Sequence, residues 1–210
     1  MKPILFKTDM VRAILDGRKT QTRRVLKPQP KGTPRYNNLR YHWYDHYFSP
    51  GLPFVNDVTP MPRQPFRVGD ILWVRETWLE AEGTCHYRAD TTSEIQRCLV
   101  DDGHRWKPSI HMHREAARLF LRVTDVRAER VQDITIKDCI AEGVSVGSMN
   151  WNRLAAQHKE KYRELWESIN TKRKYDGDYV ARRPGCNWDA NPWVWVYTFE
   201  KLDIERGASV

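Results

Sequence analysis

No apolar run in this sequence approaches the roughly 18 residues that a membrane-spanning helix needs, so no such span is predicted. Cysteine is scarce. Cys85, Cys98, Cys139 and Cys186 are the only four, and none forms a C-x-x-C pair, so free and mostly buried thiols are expected. There is no internal repeat and no low-complexity tract, which excludes solenoids and biased disordered segments. The β-α-β alternation of a parallel sheet is missing as well. Lys2, Lys7, Asp9 and Arg12 interrupt the N-terminal apolar residues, which does not resemble a signal peptide, and a cytoplasmic protein is expected.

The chain does contain enough apolar material for a core. Apolar residues make up 40% of 210 and charged residues 30%, a balance suited to one globular domain. Nine Trp and nine Tyr supply large surfaces for burial or stacking. The formal charge of +8 favours an anionic partner such as nucleic acid or nucleotide, although it is spread along the chain rather than blocked. Thr8 is expected to cap a helix with Met10, Val11, Ile14 and Leu15 on one face and Gly17 at its end. A short strand follows over about 22–27, stopped by Pro28. Residues 28–66 hold eight of the twelve prolines and predict a mostly irregular insertion; a second insertion is expected at about 79–112, with one short strand near 86–89. Strands are predicted at 71–78, with apolar residues on both faces and so central, at 117–127 and at 192–199. A short helix starts at Asp133 or Thr135 and ends at Gly143; Trp151, Leu154, Ala155, Tyr162, Leu165, Trp166 and Ile169 mark an amphipathic helix over about 150–170. This order predicts a mainly β, α+β domain spanning 1–210: a small, partly open β-barrel with flanking helices.

Most of the chemistry lies in Gly17-Arg-Lys-Thr-Gln-Thr-Arg-Arg24. In a strand, Thr22 and Arg24 share a face, and Lys19 can fold back from the preceding turn. A threonine hydroxyl becomes a nucleophile when a neighbour takes its proton, and lysine does so when burial or nearby cations lower its pKa. Arg18, Arg23 and Arg24 are placed to supply that pressure, and Arg24 or main-chain N–H groups of the turn can hold an oxyanion. Spacing alone leaves open a plain solvated basic turn.

The pattern Gly17-x-Lys19-x-x-Thr22-x-Arg24 resembles the signature of the ASCH domain, a PUA-like fold associated with RNA. The segments Val68-Gly-Asp-Ile-Leu-Trp-Val74, Ala141-Glu-Gly143 and Trp193–Phe199 follow in the family's order. Leu72–Trp78, Trp106–Met112 and Asp189–Trp195 look like ASCH proteins of phages and prophages. Many ASCH domains carry Glu where this chain has Thr22. The threonine form resembles bacterial amidohydrolases that deacylate N4-acetylcytidine, whose Lys, Thr and Glu would correspond to Lys19, Thr22 and Glu142. The resemblance implies hydrolysis of N4-acylated cytosine nucleosides without metal or cofactor, in a monomer whose partner is a modified cytosine nucleoside or RNA. A non-catalytic RNA- or nucleotide-binding module and a ribonuclease are the alternatives.

Other residues compete for function. Trp73 and Trp195 offer base-stacking surface, but Trp on small-barrel strands also fills cores. Glu76 on a central strand needs a partner or a function; Arg75 points to the other face, so Arg24 is the expected partner, and Arg75, Glu76, Trp73, Trp195 and Arg24 are the candidate substrate-binding residues. His111 and His113, with Cys85-His86, lack the spacing of a known zinc site; His42 and His46 would align on a helix, but the prolines of their segment argue against one, and no metal is expected. The 150–170 helix is expected to be structural.

Overall fold

The computed structural model describes residues 1–29, 33–37, 40–44, 64–92, 95, 97, 100–145, 151–173, 179–181 and 185–203, with 33–37, 40–44, 151–155, 172–173 and 179–181 as backbone only. The main sheet uses β1 (Lys2–Leu5), β2 (Gln21–Val25), β5 (Ile71–Arg75), β8 (Phe120–Arg130) and β11 (Trp193–Leu202), in the order β1-β5-β8-β11-β2. β1 runs parallel to β5, and the other neighbours are antiparallel. Three two-stranded hairpins are added: β3 (Thr33–Asn37) with β4 (Arg40–Tyr44), β6 (Trp78–Ala81) with β7 (Thr84–Tyr87), and β9 (Thr171–Arg173) with β10 (Tyr179–Ala181).

Alternation along β11 sorts its side chains into two layers. Trp193, Trp195, Tyr197 and Phe199 face the larger core, with Ile4, Phe6, Leu72, Val74, Leu121 and Val123, and with Val11 and Ile14 of helix α1 (Thr8–Leu15). Val194 and Val196 face a second core formed with Cys139 of α2 (Ile136–Ala141), Tyr162 and Trp166 of α3 (Trp151–Asn170), and Trp188. Helices therefore cover both faces of the sheet. Truncating Trp195, 1% exposed, to Ala would cost about 3–5 kcal/mol.

The α+β class is present, but the sheet does not close into a barrel. No ladder joins edge strands β1 and β2 among the described residues. They are joined instead by α1, which runs from one to the other, and by Arg24 Nη2, which donates to Leu5 O at 2.7 Å. The predicted 71–78 strand also divides. Glu76 N–H turns to Met112 Sδ (3.2 Å) rather than to a strand, and Trp78 begins the β6–β7 hairpin. β5 itself lies inside the sheet, between β1 and β8. Thr8 is the first helical residue of α1 rather than its cap; Lys7 holds the cap position, with no side-chain capping bond. Part of the 28–66 segment, read as irregular, forms the β3–β4 hairpin, where Tyr36, Tyr41, Trp43 and Tyr44 supply strand-favouring residues despite Pro34; 45–63 lies outside the described residues.

Candidate functional site

Two turns meet at the site. Asp16 ends α1 and Gly17 follows at φ 72°, reversing the chain so that Lys19 N–H donates to Ala13 O (2.9 Å). On the other side, Thr135 and Asp138 form a reciprocal capping box at the start of α2, and Glu142 closes that helix. Lys19 and Glu142 pair as an isolated antiparallel bridge, with Thr20 N–H donating to Ala141 O at 2.8 Å. The approach is so close that a Cβ on Gly143 (φ 88°) would lie 2.9 Å from Ala13 Cβ and 3.2 Å from Lys19 Cβ.

Lys19 is fully enclosed, its side chain 0% exposed. Its Nζ donates to Glu142 Oε2 (2.7 Å), Glu142 O (2.9 Å) and Gln21 O (2.7 Å), which uses every ammonium hydrogen. Burial lowers the Lys19 pKa below its ordinary value; Glu142 opposes this shift, while Arg24 and Arg23 add to it. Arg23 donates to Glu142 Oε1 (3.2 Å) and, through Nε and Nη2, to Glu129 Oε1 (2.9 and 2.6 Å). Burial alone would lower the Arg23 pKa, but Glu142, Tyr162 and Glu129 together raise it, so its guanidinium stays charged. Arg18 contributes nothing comparable, being an exposed partner of Asp16 at 2.7 Å.

Beside this cluster lies a cavity of about 270 Å³ between β2 and α3. Thr22, Arg23, Arg24, Glu142 and Tyr162 line it, with Lys27 and Asn170 as further polar residues, and Leu165, Trp166 and Ile169 of α3 roof it. Thr22 and Tyr162 are 4% and 2% exposed, and neither hydroxyl makes a hydrogen bond among the described residues. Burial, followed by the charge of Glu142, raises the Tyr162 pKa well above its ordinary value, so the phenol is neutral and able to donate. A second, more open cavity of about 380 Å³ shares Met10, Glu142 and Leu165 with the first and extends to Lys161 and Ser168.

No protein-family model matches this chain, and neither does any curated protein or solved structure. The functional reading therefore rests on these residues and their geometry.

The structure brings Lys19, Glu142, Thr22 and Arg24 into one neighbourhood, yet no hydrogen bond joins Lys19 Nζ to Thr22 Oγ among the described residues. Arg24 both lines the cavity and clasps Leu5 O, stacking 5.4 Å from the Phe6 ring centroid. The other expected binding residues do not line the cavity. Trp195 is in the larger core, because its strand face turns inward. Trp73 packs with Trp78, Met112 and Phe120, and Arg75 stacks on it while donating to Met112 O and Ile110 O. Glu76 pairs with Arg118 at 2.9 and 3.1 Å, not with Arg24, because β8 brings Arg118 alongside the end of β5. His113 lies edge-on to Trp78, and no group of three or more His, Cys, Asp or Glu side chains suited to a metal occurs among the described residues. The His42/His46 side chains and Cys98 lie outside them.

The sequence reading missed Tyr162. Its helical spacing marked it as part of an apolar stripe, and only its hydroxyl set it apart from the Leu and Trp around it.

Proposed function

We propose that this chain is an ASCH-type, PUA-like amidohydrolase that removes the acyl group from N4-acylated cytosine nucleosides. One observation carries the reading: a threonine hydroxyl with no hydrogen bond among the described residues lines a cavity beside a buried Lys19–Glu142 pair. Thr22 Oγ attacks the amide carbonyl carbon, and its proton passes to the pair. Because Lys19 Nζ is engaged by three oxygens, Glu142 is the member that meets the cavity, and Lys19 acts from behind it. Burial lowers the Lys19 pKa and so eases the passage of a proton through the pair. Collapse of the tetrahedral intermediate breaks the C–N4 bond as the pair returns the proton to N4, releasing cytidine. Water then cleaves the Thr22 ester, giving the carboxylic acid and restoring the hydroxyl.

A binding module for nucleotide or RNA, without turnover, is the second reading. It is favoured by the absence of a Lys19–Thr22 hydrogen bond and by the basic charge of the chain. The deciding experiment incubates the protein with N4-acetylcytidine and follows cytidine release, with Thr22→Ala and Lys19→Ala in parallel. Release by wild type that is lost in both variants supports hydrolysis. Release that survives both substitutions sinks the mechanism, and no release together with salt-sensitive RNA binding favours the module.

A further inference from the structure

β2 is an edge strand, and its unpaired edge faces away from β11. Leu26 N–H donates to Trp193 O (3.0 Å) and Phe199 N–H to Thr20 O (2.9 Å), with Thr22 opposite Tyr197 and Arg24 opposite Trp195 between them. Antiparallel alternation then turns the main-chain groups of Thr22 and Arg24 toward β11, and those of Gln21, Arg23 and Val25 toward the open edge. Gln21 O is taken by Lys19 Nζ. The Arg23 N–H and C=O have no partner among the described residues.

Arg23 lines the cavity in an unusual way. The residue is 6% exposed while its side chain is 0% exposed, so the part that a ligand can touch is the main chain. Within one extended residue, N–H and C=O point the same way and form a planar donor–acceptor pair. The guanidinium behind it, held by Glu129 and Glu142, fixes that pair in place. An unpaired peptide edge is satisfied only when water or a ligand hydrogen-bonds to it. Thr22 and Tyr162, whose hydroxyls make no hydrogen bond among the described residues, line the same cavity and point independently to a polar ligand.

We infer that the Arg23 main chain reads the base edge of the ligand, its N–H donating to pyrimidine N3 and its C=O accepting from N4–H. This rests on the reading of the cavity as a nucleoside site and extends it to base recognition. The edge suits a small planar molecule rather than an added peptide strand. The Lys19–Glu142 bridge already occupies one end, and α3 roofs the rest. Cytosine presents the acceptor–donor order that this pair complements. Uracil, with N3–H as a donor beside a carbonyl, presents the reverse, so discrimination follows from the strand edge alone.

The test is solution NMR of the ¹⁵N-labelled Thr22→Ala chain titrated with N4-acetylcytidine, repeated on wild type with cytidine, which shares the N3/N4–H edge and has no acyl group to lose. The expected result is that the Arg23 amide moves downfield and exchanges more slowly, and that the 3-deaza analogue and uridine each bind about tenfold more weakly. Binding that leaves the Arg23 amide unmoved, that shifts only Lys161 and Ser168 of the second cavity, or that ignores loss of N3 overturns the inference. The two readings fail separately. An Arg23 response without wild-type turnover keeps edge recognition and removes hydrolysis. Turnover without that response does the reverse, and no binding of either nucleoside removes both.

Discussion

Among the described residues, charge is buried around Glu76 and around Lys19, and the second cluster borders the cavity beside β2. In the first, Glu76 spends both carboxylate oxygens on Arg118, which also pairs with Asp90 and stacks 4.1 Å from the Tyr87 centroid. Tyr87 in turn donates to Ala116 O at 2.7 Å. In the second, Lys19, Glu142, Arg23 and Glu129 satisfy one another, but the Thr22 and Tyr162 hydroxyls beside them line a cavity and make no hydrogen bond among the described residues. Burial of charge is thus common to both, and perturbed pKa values occur in each, Glu76 being raised by its burial against the pull of Arg118. What separates a structural cluster from a chemical one is hydrogen-bonding capacity left over next to it.

The sharpest way to break this contrast is to exchange the symptoms. Thr22→Ala is expected to lower the turnover of N4-acetylcytidine at least about a thousandfold while changing stability by less than about 1 kcal/mol. Arg118→Met should do the opposite, stranding the Glu76 carboxylate at a cost of about 3–5 kcal/mol in denaturant unfolding with kcat of the folded protein unchanged. If Arg118→Met also abolished turnover in folded protein, the two clusters would not be separate. Gly143→Ala comes next. A Cβ there meets Ala13 and Lys19 in an already left-handed conformation, so a loss of about 1–3 kcal/mol is expected, with turnover falling as the Lys19–Glu142 bridge loosens. Tyr162→Phe should weaken nucleoside binding several-fold, about one hydrogen bond, and leave the unfolding midpoint nearly unchanged. An unfolding midpoint that drops sharply would make the hydroxyl structural.

The smallest effect is on pH dependence. Because the folded-state pKa of Lys19 is lowered, the unfolded chain binds more protons between that value and the ordinary 10.5, and stability rises with pH across that window. Cys139, raised to about 11 by burial, and Tyr162 and Tyr197, also raised, bind protons more tightly when folded and reverse the slope at high pH. Unfolding measured as pH rises toward the ordinary 10.5 should show a rise that Lys19→Met flattens; an unchanged slope would separate it from Lys19.

Local signals made much of the framework legible in the sequence. Gly17 after α1, the Asp133-or-Thr135 start of α2 and the aromatic alternation of β11 each act within a few residues, and the elements they predict are present within a few residues of the expected bounds. What was not legible depends on distant contacts. The four residues of β1 carry little pattern until β5 pairs with them. The partner of Glu76 comes from the segment leading into β8, 42 residues on, and no local rule prefers Arg118 to Arg24. Openness of the sheet likewise depends on where its edges end up, and Tyr162 gains its significance from Glu142 rather than from its own helix.

The Lys19–Glu142 contact spans 123 residues of chain, and β2 is held in the sheet by β11, near the other end of the described sequence. The order of synthesis therefore matters. A nascent chain exposes Thr22 early, but its partner carboxylate emerges much later and the strand that anchors it later still. Catalytic competence on this reading appears only when the last strand has docked, so a chain cut before Trp193 would keep every reactive side chain and lack the site.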